Sequence, residues 1–186
     1  MKKYIPLVLI LIFCTSAKGQ YQPGLFSDTT IQGVRIENGL PKGNGHTDSN
    51  GNRFGFALLW TRVTNETTTP LELKINFPSD SFAIPPTPDS YLKLFLVPDS
   101  IYYSEYGSKS LNSFLDTGLN KPTVLQKSIN PKEEYLFYIG IASTGSSGGM
   151  VRTGLVTKGQ ELLYKVSIIP HFDSLLFPCG QIVFKK

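Results

Sequence analysis

The stretch of this chain that comes nearest to a catalytic pattern is STGSSGGM (143–150), in which Gly145, Ser147 and Gly149 fit G-x-S-x-G. Hydrolases of the α/β class hold a nucleophilic serine in this pattern, at a sharp turn between a strand and a helix. The serine then lies exposed at the start of the helix, beside donors that stabilise an oxyanion. The pattern is therefore a hypothesis of serine catalysis that the rest of the sequence must support.

The residues around Ser147 do not supply the context that such catalysis needs. The segment after it is too rich in glycine to predict a helix, and the next predicted element is a strand. A catalytic serine also needs a base and an acid that orients the base. The chain has two histidines, His46 and His171, and Glu161 is the only acid between Ser147 and His171. We therefore interpret residues 143–160 as a long flexible connection between two strands and predict no catalytic residue.

A second candidate site is the segment 48–52, DSNGN, whose Asp and Asn side chains imitate the start of a calcium-binding loop. In such a loop the glycine is sixth and a bidentate glutamate is twelfth, whereas here Gly51 is fourth and Leu59 is twelfth. We interpret the segment as a glycine-rich loop that leads into a strand at Arg53. Two distant histidines do not make a zinc site either. The sequence therefore predicts no metal and no cofactor.

The tyrosines are more promising candidates for a binding site. Tyr102, Tyr103 and Tyr106 cluster in IYYSEYGS, and Tyr91 is close in sequence. Exposed tyrosines bind sugar rings or protein surfaces, because each ring is apolar with a polar tip. We predict a ligand-binding role for the three clustered tyrosines, although tyrosine is also common in strands and a structural role stays open. Trp60, which lies among apolar neighbours, is predicted to belong to the core.

Several short patterns suggest covalent modification. Thr29, Ser100 and Ser174 each follow an aspartate, which resembles the acceptor pattern that some bacteria use for O-glycosylation in the periplasm. Asn65-Glu66-Thr67 is also a sequon for N-glycosylation, but the N-terminus looks bacterial and we expect the sequon to be unused.

The first 19 residues have the layout of a secretory signal peptide. Lys2 and Lys3 precede an apolar core of ten residues (5–14), and small or polar residues follow it. That core is too short to span a bilayer as a stable helix. We predict cleavage after Gly19, and export to the periplasm, the cell surface or the medium. Lipid attachment at Cys14 is the less favoured alternative, because the residue before a lipidated cysteine should be small and Phe13 is large.

Removal of the signal changes the charge and the cysteine content. The full chain has 18 Lys and Arg against 14 Asp and Glu, and loss of Lys2, Lys3 and Lys18 leaves 15 against 14. No run of basic residues remains that would bind nucleic acid or an anionic membrane surface. Cys179 is then the one cysteine left, so an internal disulfide is excluded. We interpret it as a small buried residue rather than a nucleophile or an intermolecular partner.

Beyond the signal, the dominant pattern is the alternation of apolar and polar residues that is typical of strands. Residues 54–63 are apolar on both faces, which predicts a central strand, and the polar link that ends at Pro70 predicts a hairpin over 54–77. One short helix is predicted at 110–118, ending at Gly118. Further strands are predicted at 91–97, 134–142, 161–169 and 180–186, with weaker candidates near 31–36 and 123–129.

This pattern predicts an all-β fold, because no helical segment of ten or more residues separates the strands as a βαβ unit requires. We expect residues 20–186 to form a single antiparallel β-sandwich of the immunoglobulin-like kind, with at most one short helix. The expected function is a non-enzymatic one, the binding of an envelope protein or a glycan. The alternatives are an envelope or extracellular hydrolase that uses Ser147, and a structural subunit that assembles by pairing of sheet edges.

Overall fold

A computed structural model describes residues 25–84, 87–101, 108–145, 150–169 and 172–185. Within these ranges the protein is all-β, as predicted, with strands in two antiparallel sheets, one of which curls into a half-barrel, and one short helix. In chain order the elements are β1 (Leu25–Ile31), β2 (Val34–Gly39), β3 (Lys42–Thr47), β4 (Arg53–Asn65), β5 (Leu71–Phe77), β6 (Phe82–Ile84), β7 (Thr87–Leu96), α1 (Lys109–Thr117), β8 (Thr123–Ile129), β9 (Glu134–Thr144), β10 (Met150–Lys158), β11 (Glu161–Ile169) and β12 (Phe172–Phe184).

The two sheets divide the strands without regard to their order in the chain. Sheet A has seven strands in the order β1-β2-β4-β9-β7-β6, and β3 pairs with β4 beyond the end of β2. Sheet B has five strands in the order β10-β11-β12-β5-β8. The segments 31–36 and 123–129, which were the weaker candidates, contribute β-structure in β1, β2 and β8.

The main core lies between the inner faces of the two sheets. The apolar residues of the alternating pattern point into this core, because a strand sends successive side chains to opposite faces. Buried members of this core come from both sheets, among them Leu92, Leu94, Phe137, Ile139, Leu162, Tyr164, Val166 and Ile168. The hydroxyl groups of Tyr164 and Thr153 lie 3.0 Å apart, so the one polar atom of this buried ring has a partner.

The prediction of a hairpin over 54–77 is wrong. β4 pairs with β2, β3 and β9 in sheet A, whereas β5 pairs with β8 and β12 in sheet B. The link between β4 and β5 therefore crosses from one sheet to the other. Asn65 fixes this crossing: its buried amide group donates to the carbonyls of Thr69 (2.9 Å) and Ile129 (3.0 Å) and accepts from the Thr67 N–H (3.0 Å). The sequon asparagine is thus a buried structural residue in the fold.

The prediction of a flexible connection over 143–160 is also wrong for residues 150–158, which form β10 and pair with β11 along its length. Close packing between the two sheets explains why position 154 is a glycine. A Cβ atom at Gly154 would lie 3.1 Å from the side-chain amide of Asn38 on β2, closer than most such contacts. The glycine therefore allows β10 of sheet B to approach β2 of sheet A.

Asn38 joins the two sheets through this close approach. Its side chain is 1% exposed. Nδ2 donates to the Leu155 carbonyl (3.0 Å), and Oδ1 accepts from the Leu155 N–H (2.9 Å) and the Thr61 hydroxyl (3.1 Å). The amide group of one side chain thus satisfies both backbone groups of Leu155 in a place where water cannot.

We expect Asn38→Ala to lower the free energy of unfolding by about 2–4 kcal/mol, because it leaves several buried polar groups without partners. Urea denaturation followed by tryptophan fluorescence measures this, with the exposed Asn76→Ala as a matched control that should change stability by less than about 0.5 kcal/mol. A loss no larger than that of the control would contradict the role assigned to Asn38.

Candidate functional site

The outer face of sheet A, turned away from sheet B, has an apolar half that α1 covers. Leu111 and Leu115 of the helix pack onto side chains from β4, β7 and β9 and the segment after β7; the buried cluster is Phe56, Leu58, Phe95, Val97, Ile101, Leu111, Leu115 and Ala142. The Ser108 hydroxyl caps the helix by accepting from the Leu111 N–H (3.2 Å). At the other end the Gly118 N–H donates to the Phe114 carbonyl (2.7 Å), so the helix ends at the glycine the sequence indicated.

The other half of this outer face is mostly polar, with the exposed Leu136 of β9 as an apolar exception. Arg62 on β4 lies 3.6 Å from Glu37 on β2 and 3.8 Å from Glu134 on β9, measured between side-chain nitrogen and oxygen atoms. These charges need no apolar cover, so the helix is needed only over the half that begins with Phe54 and Phe56.

A cleft of about 440 Å³ lies on the outer face of sheet A where α1 ends. Its floor is formed by the beginning of β4, the middle of β7 and the end of β9, and its walls are the end of α1 and the loop 48–52. We call it the end cleft, and the residues important here are Asn52, Arg53, Phe54, Tyr91, Lys93 and Asp116. A second depression, of about 680 Å³, adjoins it and shares Arg53 and Phe54.

His46 connects β3 to the helix at the rim of this region. Its Nε2 lies 2.8 Å from Asp116 Oδ1, and its ring packs on Phe54 with centroids 5.2 Å apart. Ser143 is near in the fold but lies on the inner face, because it pairs with Gly55, and Gly55 alternates with the outward-facing Phe54 and Phe56. By this alternation, His46 and Ser143 start from opposite faces of the sheet, although both line the adjoining depression, and the His46 ring is paired with Asp116.

The segment 48–52 is the turn that we predicted, and β4 begins at Arg53. The Asp48 carboxylate accepts from the Asn50 N–H (2.9 Å), the Asn52 N–H (2.8 Å) and the Asn52 side-chain amide (2.9 Å). Hydrogen bonds from Asn52 above all lower the pKa of this carboxyl below its usual value. The carboxylate holds the loop in the shape that forms one wall of the end cleft.

Lys93 and Tyr91 project from β7 into the end cleft. Leu92 and Leu94 point into the main core, so Tyr91 and Lys93 point to the outer face. The Tyr91 side chain is 46% exposed, whereas Lys93 is buried and its ammonium group donates to the Ser79 carbonyl. Desolvation lowers the pKa of Lys93 below its usual value, and the nearby Asp80 carboxylate opposes the shift.

The candidate residues from the sequence are only partly described. Tyr102, Tyr103, Tyr106, Ser147 and His171 lie outside the described residues, so their predicted roles stay predictions. Thr29 is half-buried in β1, while Ser100 and Ser174 are exposed. Trp60 is buried, as predicted.

Sequence reasoning noted Tyr91 only as a neighbour of the tyrosine cluster and passed over Lys93 as a site residue. The only local signal was that both lie on the polar side of an alternating strand.

Other site types have little support in the part of the chain that the structure describes. No group of three or more His, Cys, Asp or Glu side chains is placed there to hold a metal ion. The same residues include no helix with the length and apolar character that crossing a membrane requires.

The chain matches no protein-family model, and no curated protein is significantly similar to it in sequence.

Cys179 lies away from the end cleft, in the main core, as predicted. Its thiol is 3.4 Å from the Leu162 carbonyl, which it can donate to. Burial, and to a lesser extent the charge of Glu161, raises the pKa of the thiol to about 12. The thiol is therefore protonated at neutral pH, which argues against a nucleophilic role.

We expect Cys179 in the folded protein lacking residues 1–19 to react with a thiol reagent such as DTNB at pH 8 at least about a hundredfold more slowly than in the unfolded chain. Labelling with and without urea, followed by absorbance, measures the two rates. Native labelling as fast as unfolded labelling would show that the thiol is accessible and ionised.

Proposed function

We propose that this protein is an exported, non-enzymatic binding protein with an immunoglobulin-like sandwich fold, and that it holds a glycan in the end cleft. Support for export comes from the N-terminal signal pattern, and support for the sandwich comes from the two antiparallel sheets that pack around one main core. The fold alone does not give the function, because sandwiches of this kind serve many roles. The proposal therefore depends on the cleft.

The observation that carries the proposal is the half-exposed ring of Tyr91 in a concave site. A pyranose ring has an apolar face and a polar edge, so it packs on an aromatic side chain while its hydroxyl groups bond to polar neighbours. The end cleft offers both, since Tyr91 and Phe54 supply rings and Asn52 and Asn120 supply amide groups.

The size of the cleft favours a glycan over a protein as the ligand. Small-ligand sites occupy about 300–1,000 Å³, and the end cleft is within that range. A stable protein partner covers about 800 Å² of each surface, whereas the end cleft is a local depression. The loops at one end of a sandwich are also a common place for recognition, because a rigid scaffold positions them.

A catalytic role for the cleft has less support than binding. The groups that could transfer a proton there are already paired within the fold, His46 with Asp116 and Asp48 with its own loop. Lys93 is bonded to Ser79. This arrangement fits a site that recognises a ligand without changing it.

A panel of neutral and acidic oligosaccharides, titrated by calorimetry against the protein lacking residues 1–19, tests the proposal. We expect binding of at least one glycan, and Tyr91→Ala should weaken it by about tenfold or more, since loss of a central aromatic contact costs more than about 1 kcal/mol.

Leu176→Ala is the matched control, because Leu176 is similarly exposed but lies on β12 of sheet B. It should leave affinity unchanged. Absence of binding to every glycan, or equal affinity of Tyr91→Ala and the unmodified protein, would contradict the proposed function.

A further inference from the structure

The charged groups of the end cleft differ in whether they already have hydrogen-bond or ion-pair partners within the protein. Asp48 accepts three hydrogen bonds from its own loop, at 2.8–2.9 Å. Asp116 lies 2.8 Å from His46 through Oδ1. Both carboxylates therefore have partners within the protein, and a ligand that used them would have to compete with these bonds.

Arg53 is in the opposite situation. Arg53 alternates with the outward-facing Phe54, but it is the first residue of β4, at the end of the sheet, and its exposed side chain lines both the end cleft and the adjoining depression. Within the described part of the chain its guanidinium has no hydrogen bond or ion pair. Its five N–H donors are therefore available to a ligand.

Lys93 supplies a second positive charge in the same cleft. Its ammonium group makes one bond, to the Ser79 carbonyl, and an ammonium has three donors. Asp80 is near enough to interact with it. Burial of this group at the floor of the cleft makes its charge more effective than a fully exposed one, because less water screens it.

We infer that the ligand of the end cleft is an acidic glycan, in which a uronic acid carboxylate binds the Arg53 guanidinium beside Lys93 while the sugar ring packs on Tyr91. This inference rests on the proposed function and narrows it to one class of sugar. The carboxylate of a uronic acid projects from the edge of the ring, so a ring on the floor can present it to a cation at the rim.

The choice of arginine at this position favours a carboxylate over a neutral hydroxyl group. The planar guanidinium presents two parallel N–H donors that match the two oxygens of a carboxylate, and such bidentate pairs are stronger than bonds between neutral groups. Lysine gives charge without this fork, so the two cations have different roles: Arg53 orients the carboxylate and Lys93 adds attraction.

The test uses matched ligands that differ only in charge. Oligosaccharides of galacturonic, glucuronic and mannuronic acid are each titrated beside their methyl esters, which keep the ring and remove the negative charge. We expect at least one of the acids to bind, and its ester to bind at least about tenfold more weakly, with affinity for the acid falling as salt is added.

Variants at position 53 separate charge from geometry. Arg53→Gln should weaken binding of the acid by at least about tenfold and leave affinity for the ester unchanged, while Arg53→Lys should restore only part of the affinity. Arg152→Gln on β10 of sheet B is the matched control, and it should bind the acid as the unmodified protein does. Circular dichroism confirms that each variant is folded.

The outcomes distinguish this inference from the proposed function. If an ester or a neutral glycan binds as well as the acid, or if Arg53→Gln binds the acid with unchanged affinity, the acidic ligand is wrong while glycan binding stands. If no glycan of any kind binds, both are overturned.

Discussion

The structure depends on one constraint, which is that β4 is apolar on both faces. Its inner face, with Leu59 and Val63, is covered by sheet B. Its outer face, with Phe56 and Leu58, would be exposed in a simple two-layer sandwich, and α1 covers it. Burial of one large apolar side chain is worth about 1.5–3 kcal/mol, so leaving several of them in water would be costly for a domain of marginal stability.

The end cleft follows from the length of that cover. α1 has nine residues, about 13 Å of helix, and its last turn, with Leu115 and Asp116, forms one wall of the end cleft. Tyr91 and Lys93 lie on the same outer face as the covered cluster, and Phe54 packs against the edge of that cluster. The His46–Asp116 pair holds the end of the helix against β3, which keeps this wall of the cleft in place. The end cleft is thus the part of the outer face of sheet A that α1 leaves uncovered.

Much of the fold could be predicted because strand formation leaves a local signal. Alternation of period two identified β7, β9 and β11 and their inward-facing residues, and the double-faced pattern of 54–63 identified a central strand. The local sequence does not determine which strands pair with each other. The prediction that β4 and β5 form a hairpin was therefore wrong. The packing role of Gly154 was not predictable for the same reason: its neighbour in space, Asn38, is more than a hundred residues away in the chain.

The candidate site was harder to predict than the fold. Arg53 and Tyr91 each look like an ordinary polar position on a strand. Only the topology brings the start of β4 and the middle of β7 together, on either side of the end of β9. The DSNGN turn was interpreted correctly, because Asp48 and its hydrogen-bond partners are close in sequence. The tyrosine cluster at 102–106 lies outside the described residues and stays a prediction.

The most direct test of the account is a map of where a ligand binds. In an amide chemical-shift titration of the isotopically labelled protein with a uronic acid oligosaccharide, the account predicts shifts at Arg53, Phe54, Tyr91 and Asn120, the residues around the end cleft. Shifts confined to the groove of about 340 Å³ on sheet B, around Leu125 and Gly180, would contradict it. A spectrum that no glycan changes would contradict it as well.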